Sequence, residues 1–308
     1  MDKDTFFEKK QFINCGGKYL DLSIPRVMGI LNATPDSFYD GGKYPDALSI
    51  LKQTDRMIAE GADIIDVGAY SSRPGAVDIT SIEEWDRLSM ALETIRENYP
   101  DLIVSVDTFR SEIAIKAIEK FSVQIINDIS GGTLDHGMFD AVASLRVPYI
   151  IMHMTGNPQN MQQKTNYKDI IEEIIKFLGN QIERLVSKGV NDIIIDPGFG
   201  FGKTLEQNYQ LLCHLDAFKT LGLPIIAGLS RKSMVYRLLE ITPDEALNGT
   251  SVLNTLALMK GTNILRVHDV KEAKQVVCLY TKTLEEGKNY LSVQGEINHR
   301  LLNHRKIS

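Results

Sequence analysis

A chain of 308 residues with 43% hydrophobic side chains is long enough for one large barrel or two medium domains around a substantial core. Its 34 Lys and Arg against 40 Asp and Glu leave a net charge of −6, which argues against a nucleic-acid or anionic-membrane binder, so any anionic ligand must be held by a local cluster. Cys15, Cys213 and Cys278 form no C-x-x-C pair, which argues against a zinc site or disulfide framework and fits a reducing, cytoplasmic setting.

In chain order, the opening MDKDTFFEKKQF lacks the apolar stretch of a signal peptide, and no later segment approaches the roughly 20 apolar residues of a membrane span. QFINCGGKYLDLSIP, about residues 11–25, alternates around a Gly-Gly turn and predicts a β-hairpin closing one end of the fold. Short β-rich apolar runs then recur: RVMGILN 26–32, ADIIDVG 62–68, LIVSVDT 102–108, VQIINDIS 123–130, PYIIMHM 148–154, DIIIDPG 192–198, PIIAGLS 224–230 and NILRVHD 263–269. Between them lie stretches with helical spacing of apolar residues, such as 46–61, 111–120, 169–189 and 244–261. Strands apolar on nearly every residue are covered on both faces, as in a parallel sheet wrapped by helices. Eight such units predict a (β/α)8 TIM barrel at about 26–285, with an open doubly wound sheet as the alternative. The stretch from about 285 to 308 is polar and predicts a surface helix and tail, so the whole chain reads as a single domain.

The runs end on polar residues: Asn32, Asp66, Asp107, Asn127 with Asp128, His153, Asp196, Ser230, and Arg266 with His268. A barrel gathers C-terminal strand ends on one face, where such folds build active sites, so these scattered residues are expected to form one pocket. For any one of them, a plain strand-to-loop boundary explains the polarity equally well. The sixth run continues as NDIIIDPGFGFGKT, 191–204, which is close to a phosphate-binding P-loop. Pro197 stands where that loop needs its first glycine and cannot supply the N–H, so the fingerprint fails. The stretch instead reads as a strand ending at Asp196, a glycine turn, and Thr204 as the cap of the next helix.

Taken together, MGILNATPDSFYDGG 28–42, GADIIDVGAYSSRPGA 61–76, VSVDT 104–108, IINDISGG 125–132, IIMHMTGNPQNMQ 150–162, IIIDPGFGFGKT 193–204, AGLSRKS 227–233 and ILRVHD 264–269 resemble the dihydropteroate synthase family, in family order over most of the chain. The resemblance implies a transferase that joins p-aminobenzoate to 6-hydroxymethyl-7,8-dihydropterin diphosphate, with Mg2+ as cofactor, sulfonamides as inhibitors and a homodimeric assembly. It implies a pterin pocket of Asp107, Asn127, Met152, Asp196, Phe201 and Lys232. It places the diphosphate on Asn32, Ser72, Arg73, Arg266 and His268, with Asn32 also holding Mg2+, and p-aminobenzoate on Phe38, Ser72, Pro74 and Ser233. Asp36, Arg266, His268 and Lys232 are the implied catalytic residues. The segments 33–45 and 69–80 are expected to be loops that close over the substrates. The chain departs from the commoner pattern in having Ala69, Tyr70 and Ser72 where Gly, Glu and Thr are usual. A methyltetrahydrofolate-binding methyltransferase barrel and a non-catalytic pterin binder are the competing readings.

Overall fold

The computed structural model of the chain describes residues 10–34, 46–71 and 78–304, with side chains through 287. At its start β1 (Phe12–Cys15) and β2 (Lys18–Asp21) pair antiparallel, with Ile13 opposite Leu20. Gly16 and Gly17 turn the chain at φ +64° and +90°, the left-handed region that a two-residue hairpin turn demands at both central positions.

The eight apolar runs become eight strands: β3 (Arg26–Asn32), β4 (Ile64–Gly68), β5 (Val104–Asp107), β6 (Ile125–Asp128), β7 (Tyr149–Met152), β8 (Ile193–Asp196), β9 (Ile226–Ala227) and β10 (Ile264–Val267). All pair in parallel, in the order β8-β7-β6-β5-β4-β3-β10-β9. A bridge between Ile195 and Ile225, with the Ile195 N–H donating to the Pro224 carbonyl at 2.9 Å, brings the last edge back to the first. The sheet therefore closes as a TIM barrel, and the open-sheet alternative is set aside. The seventh strand is shorter than the expected 224–230, because Pro224 has no N–H to give the ladder and the chain leaves the sheet after Ala227.

Helices alternate with the strands: α1 (Ala47–Ala59), α2 (Ser81–Asn98), α3 (Ser111–Phe121), α4 (Met138–Leu145), α5 (Ile170–Ser187), α6 (Leu205–Cys213), α7 (Ser233–Leu239), α8 (Leu247–Met259) and α9 (Val270–His304). Several starts are capped from the sequence. Asp46 accepts from the Ser49 N–H, Thr80 from Glu83 and Asp169 from Ile171 and Glu172, each satisfying donors the helix leaves open. Thr204 caps α6 as expected, in a reciprocal box with Gln207. The polar end continues the last helix, since α9 runs unbroken from Val270 to His304, and residues 305–308 lie outside the described residues. No helix among the described residues is long and apolar enough to cross a membrane.

Side-chain parity sorts the barrel into an outside and an inside. Val27, Leu31, Ile65, Val67, Val104, Val106, Ile126, Ile151, Ile193 and Leu265 pack outward against the helices. Met28, Ile64, Ile125, Ile150, Ile194, Ile226 and Ile264 point inward and pack with Ile13, Cys15, Leu20 and Leu22 of the hairpin. The hairpin thus plugs the N-terminal end, each fully buried aliphatic side chain contributing about 1.5–3 kcal/mol. Two residues further along each strand lies the same inner face, one layer nearer the open end. That step replaces the isoleucine ring with Asp66, Asn127, Met152, Asp196 and Arg266.

Candidate active site

At the C-terminal end of the barrel the inner face is polar because the period of two carries each strand from an apolar residue to a charged or amide one. Ile64 is followed by Asp66, Ile125 by Asn127, Ile194 by Asp196 and Ile264 by Arg266. The Arg266 guanidinium spans the interior. Its Nε donates to Asp66 Oδ2 at 2.6 Å and its Nη2 to Asp107 Oδ2 at 2.6 Å. Asn127 Nδ2 donates to the same Asp66 oxygen at 3.0 Å. Across the mouth, Asp196 Oδ1 accepts the Gly198 N–H at 2.7 Å. Lys232, just before α7, donates to the Phe199 carbonyl, and its ammonium stands 4.7 Å from the centre of the Phe201 ring.

These surroundings shift the charges. Burial raises the Asp107 carboxyl to about 7, against the pull of Arg266, with Asp66 adding to the rise. Burial also raises Asp196, while Lys232 and the Gly198 N–H work the other way. Lys232 is pulled down to about 8 by burial, with Asp196 resisting. For Arg266 burial opposes the charge, but Asp66 and Asp107 outweigh it and hold the guanidinium protonated. The result is a pocket floor with a fixed cation, one carboxyl, Asp107, close to exchanging its proton near neutrality, a second, Asp196, raised by burial, and an amine lowered toward the same range.

An apolar wall adjoins this floor. Ile129, Met152, Met154 and Met161 form a buried cluster with Phe109 and Phe201 packed on it. Met152 follows Ile150 on the inner face of β7, and Phe201 lies in the glycine loop between β8 and α6. Polarisable thioethers beside aromatic rings suit a flat heterocycle inserted edge-on.

Asn32 ends β3 on the inner face, two residues beyond Ile30 and four beyond Met28. Ser233 is the first residue of α7. His268 follows β10 at the mouth, its backbone N–H donating to Ser230 Oγ at 3.2 Å. Asp36, Phe38, Ser72, Arg73 and Pro74 lie outside the described residues. At the edge of that second segment, the Tyr70 hydroxyl accepts from Gln159 Nε2 at 2.6 Å, and its ring meets Phe109 edge-on at 5.0 Å. The departure from the usual Glu therefore ties the loop after β4 to the loop after β7.

Two residues expected at the pocket face away from it. Asp128 has the outward parity of β6 and accepts from the Tyr149 hydroxyl at 2.6 Å and the Ser130 and Gly132 N–H groups at 2.7 and 2.9 Å. It pins the β6 loop rather than serving a ligand. His153 is a step past Met152 and turns outward to Lys203 and the Phe177 ring. Conversely, Asp66 is wholly buried and organises Arg266 and Asn127, a part that the strand-end pattern alone does not assign. Counting by twos from Ile64 would have found it. Among the described residues there is no group of three or more His, Cys, Asp or Glu arranged to hold a metal ion.

Comparison with known proteins is consistent across sequence and structure. Residues 28–268 match the model of a family described as pterin binding enzyme. The chain is 42% identical over 278 residues to the Escherichia coli K12 dihydropteroate synthase, covering 89% of this chain and 98% of that one. The Yersinia pestis dihydropteroate synthase, solved with a sulfonamide drug complex, superposes with a TM-score of 0.83 at 40% identity, over 89% of this chain and 99% of that one. The Xanthomonas albilineans dihydropteroate synthase with 4-aminobenzoic acid gives a TM-score of 0.82 at 37% identity, over 89% and 98%.

Proposed function

The chain belongs to the pterin-binding enzymes and, within them, to the dihydropteroate synthase family of transferases, and on that premise we propose how its own residues carry the reaction. The reaction joins p-aminobenzoate to 6-hydroxymethyl-7,8-dihydropterin diphosphate, releasing diphosphate and forming 7,8-dihydropteroate for folate biosynthesis. The observation that carries the assignment of roles is the convergence of Asp66, Asp107, Asn127, Asp196, Lys232 and Arg266 on one inner face above a sealed apolar floor.

A pterin presents an amide N–H and an exocyclic amine side by side, a donor pair that a carboxylate can accept with both oxygens. Asp196 takes that edge, Asp107 and Asn127 take the remaining ring nitrogens, and Lys232 donates to the ring carbonyl. Met152 and Phe201 contact the ring faces. Buried carboxyls cost several kcal/mol unless paired, and a donor-rich heterocycle supplies the pairing. Arg266 and His268, with Asn32, Ser72 and Arg73, hold the diphosphate. Phe38, Ser72, Pro74 and Ser233 hold p-aminobenzoate, the pocket that sulfonamides would contest.

The chemistry is substitution at the pterin methylene. An electron-rich dihydropterin stabilises a cation at that carbon, so the carbon–oxygen bond can break, its electron pair leaving with diphosphate, before the arylamine nitrogen attacks and sheds its proton. No side-chain nucleophile is needed. Arg266 and His268 stabilise the departing charge, Asp36 the cation, and the pocket orients a weakly basic amine. The end of β3 suits a magnesium ion, since the Asn32 amide oxygen is a hard ligand on the inner face at the mouth. When bound, Mg2+ would be held by Asn32 and mostly by diphosphate oxygens, and would neutralise the leaving group.

One barrel domain spanning the chain, a homodimer and a cytoplasmic setting complete the proposal. The dimer is supported by an apolar face on α7 and α8, where Leu238, Leu239, Val252, Leu256 and Met259 are 43–67% exposed. The setting is supported by three cysteines that stay as free thiols. The reaction is tested by following diphosphate release from the dihydropterin diphosphate. Release should require p-aminobenzoate and stop when Mg2+ is chelated. Tight pterin binding without release would mark a silent binder instead.

A further inference from the structure

The Gly-Lys-Thr that gives residues 191–204 the look of a phosphate-binding loop has a different use. Five successive carbonyls of the loop after β8 each accept from a side chain. Lys203 Nζ donates to Gly198 at 2.7 Å and to Phe201 at 2.9 Å. Lys232 donates to Phe199, Gln162 Nε2 to Gly200 at 3.0 Å, and the Tyr167 hydroxyl to Gly202 at 2.9 Å. Lys203 is only 4% exposed, and its ammonium also lies 3.2 Å from His153 Nδ1. Burial with Lys203 alongside drives the His153 ring down to about 2, so it is neutral and offers a lone pair there. Burial pulls the Lys203 amine down to about 7, with Asp196 resisting, and its N–H groups turn back onto its own loop and away from the mouth.

The loop needs such a clamp. Gly198, Gly200 and Gly202 have φ of +77°, +81° and +59°, left-handed positions that glycine adopts freely and therefore does not by itself hold in one conformation. It is pressed against its neighbours so closely that a Cβ at Gly198 would meet the His153 carbonyl at 2.1 Å, and one at Gly202 the Thr155 hydroxyl at 2.3 Å. The two side chains that the loop sets, Phe201 and Lys232, are those given to the pterin ring above.

We propose that Lys203 is a positioning residue for the pterin pocket: it touches no ligand, but by clamping the carbonyls of Gly198 and Phe201 it holds Phe201 and Lys232 in register with Asp196. This rests on the pterin site as assigned above, and the test separates the two. Steady-state kinetics are measured for the wild type, Lys203→Met and Tyr167→Phe, with circular dichroism as the control for folding. Losing both carbonyl bonds to the loop, together with the contact to His153 Nδ1, should raise the KM for dihydropterin diphosphate about tenfold or more in Lys203→Met, and losing one bond should raise it about threefold in Tyr167→Phe. The KM for p-aminobenzoate should stay within about twofold in both. An unchanged pterin KM, or equal rises for both substrates, overturns the inference. So does a loss confined to kcat, which is what a smaller folded fraction gives. If Lys203→Met does not fold, Tyr167→Phe together with Gln162→Leu decides on the same criteria. A wild type that binds no pterin diphosphate would instead remove the site assignment itself.

Discussion

Asp66 shows how one side chain can organise a site without facing the solvent. Its Oδ2 holds both Arg266 and Asn127, while its Oδ1 is buried with no hydrogen-bond partner among the described residues. Breaking a buried ion pair by removing one partner typically costs about 3–5 kcal/mol, since the other charge is left stranded. Asp107 still holds one end of Arg266, so Asp66→Ala is expected at the low end, about 3 kcal/mol, read from urea denaturation. The same truncation should also loosen pterin binding. A second residue-scale prediction concerns pH. In the roles proposed above, Asp107, raised to about 7, must lose its proton to accept from the ring, and Lys232, pulled to about 8, must keep its own to donate. Calorimetric affinity for the pterin should therefore peak between these values, and Asp107→Asn should move the acid limb to lower pH, leaving the part that Asp196 contributes. The effect on stability has the opposite sense to that of an ordinary ion-paired acid. Between 3.8 and about 7 the native Asp107 keeps a proton that the unfolded chain has lost, so its contribution declines as pH rises through that window. Sequence reading names Asp66 at a strand end and within the stretch 61–76 yet assigns it no part, because a polar residue where a strand meets a loop needs no further explanation.

At the scale of elements, strands and helices were largely legible, and their ends were not. The apolar run 26–32 matches β3 residue for residue, whereas the run 224–230 yields only Ile226–Ala227, because hydrophobicity reports burial and not ladder bonding. Parity within a strand carries more information than the run itself. It sends Asn127 inward and Asp128 outward, although both are polar and adjacent. The close approach in the glycine loop makes Gly198→Ala a severe change, since both the backbone angle and the His153 carbonyl forbid a Cβ. A loss of about 3 kcal/mol or more, seen as a fall in Tm, is expected. The reverse applies where α7 ends. Glu240 caps it in the left-handed conformation at φ +54°, a position that favours glycine. Glu240→Gly should raise stability by about 1 kcal/mol without altering kinetics. Asp36, Phe38, Ser72, Arg73 and Pro74, outside the described residues, were named only through family resemblance, as their stretches contain no period that fixes a side chain's direction.

For the whole molecule, the apolar positions Val252, Leu256 and Met259 recur at helical spacing on α8, next to Leu238 and Leu239 of α7. If this face joins two copies, Val252→Asp combined with Met259→Asp should halve the mass seen by sedimentation while the fold survives. The barrel itself was readable because its eight units repeat, and the closure by the hairpin because Gly-Gly splits an alternating pattern. That closure sets the traffic of the enzyme. With Ile13, Cys15, Leu20 and Leu22 stoppering the lower end against a ring of isoleucines, the cavity is a cul-de-sac. Whatever lies deepest must arrive first and cannot withdraw while anything sits above it. With the pterin placed as proposed, an end closed in this way imposes a queue on the substrates by shape alone, the heterocycle at its head.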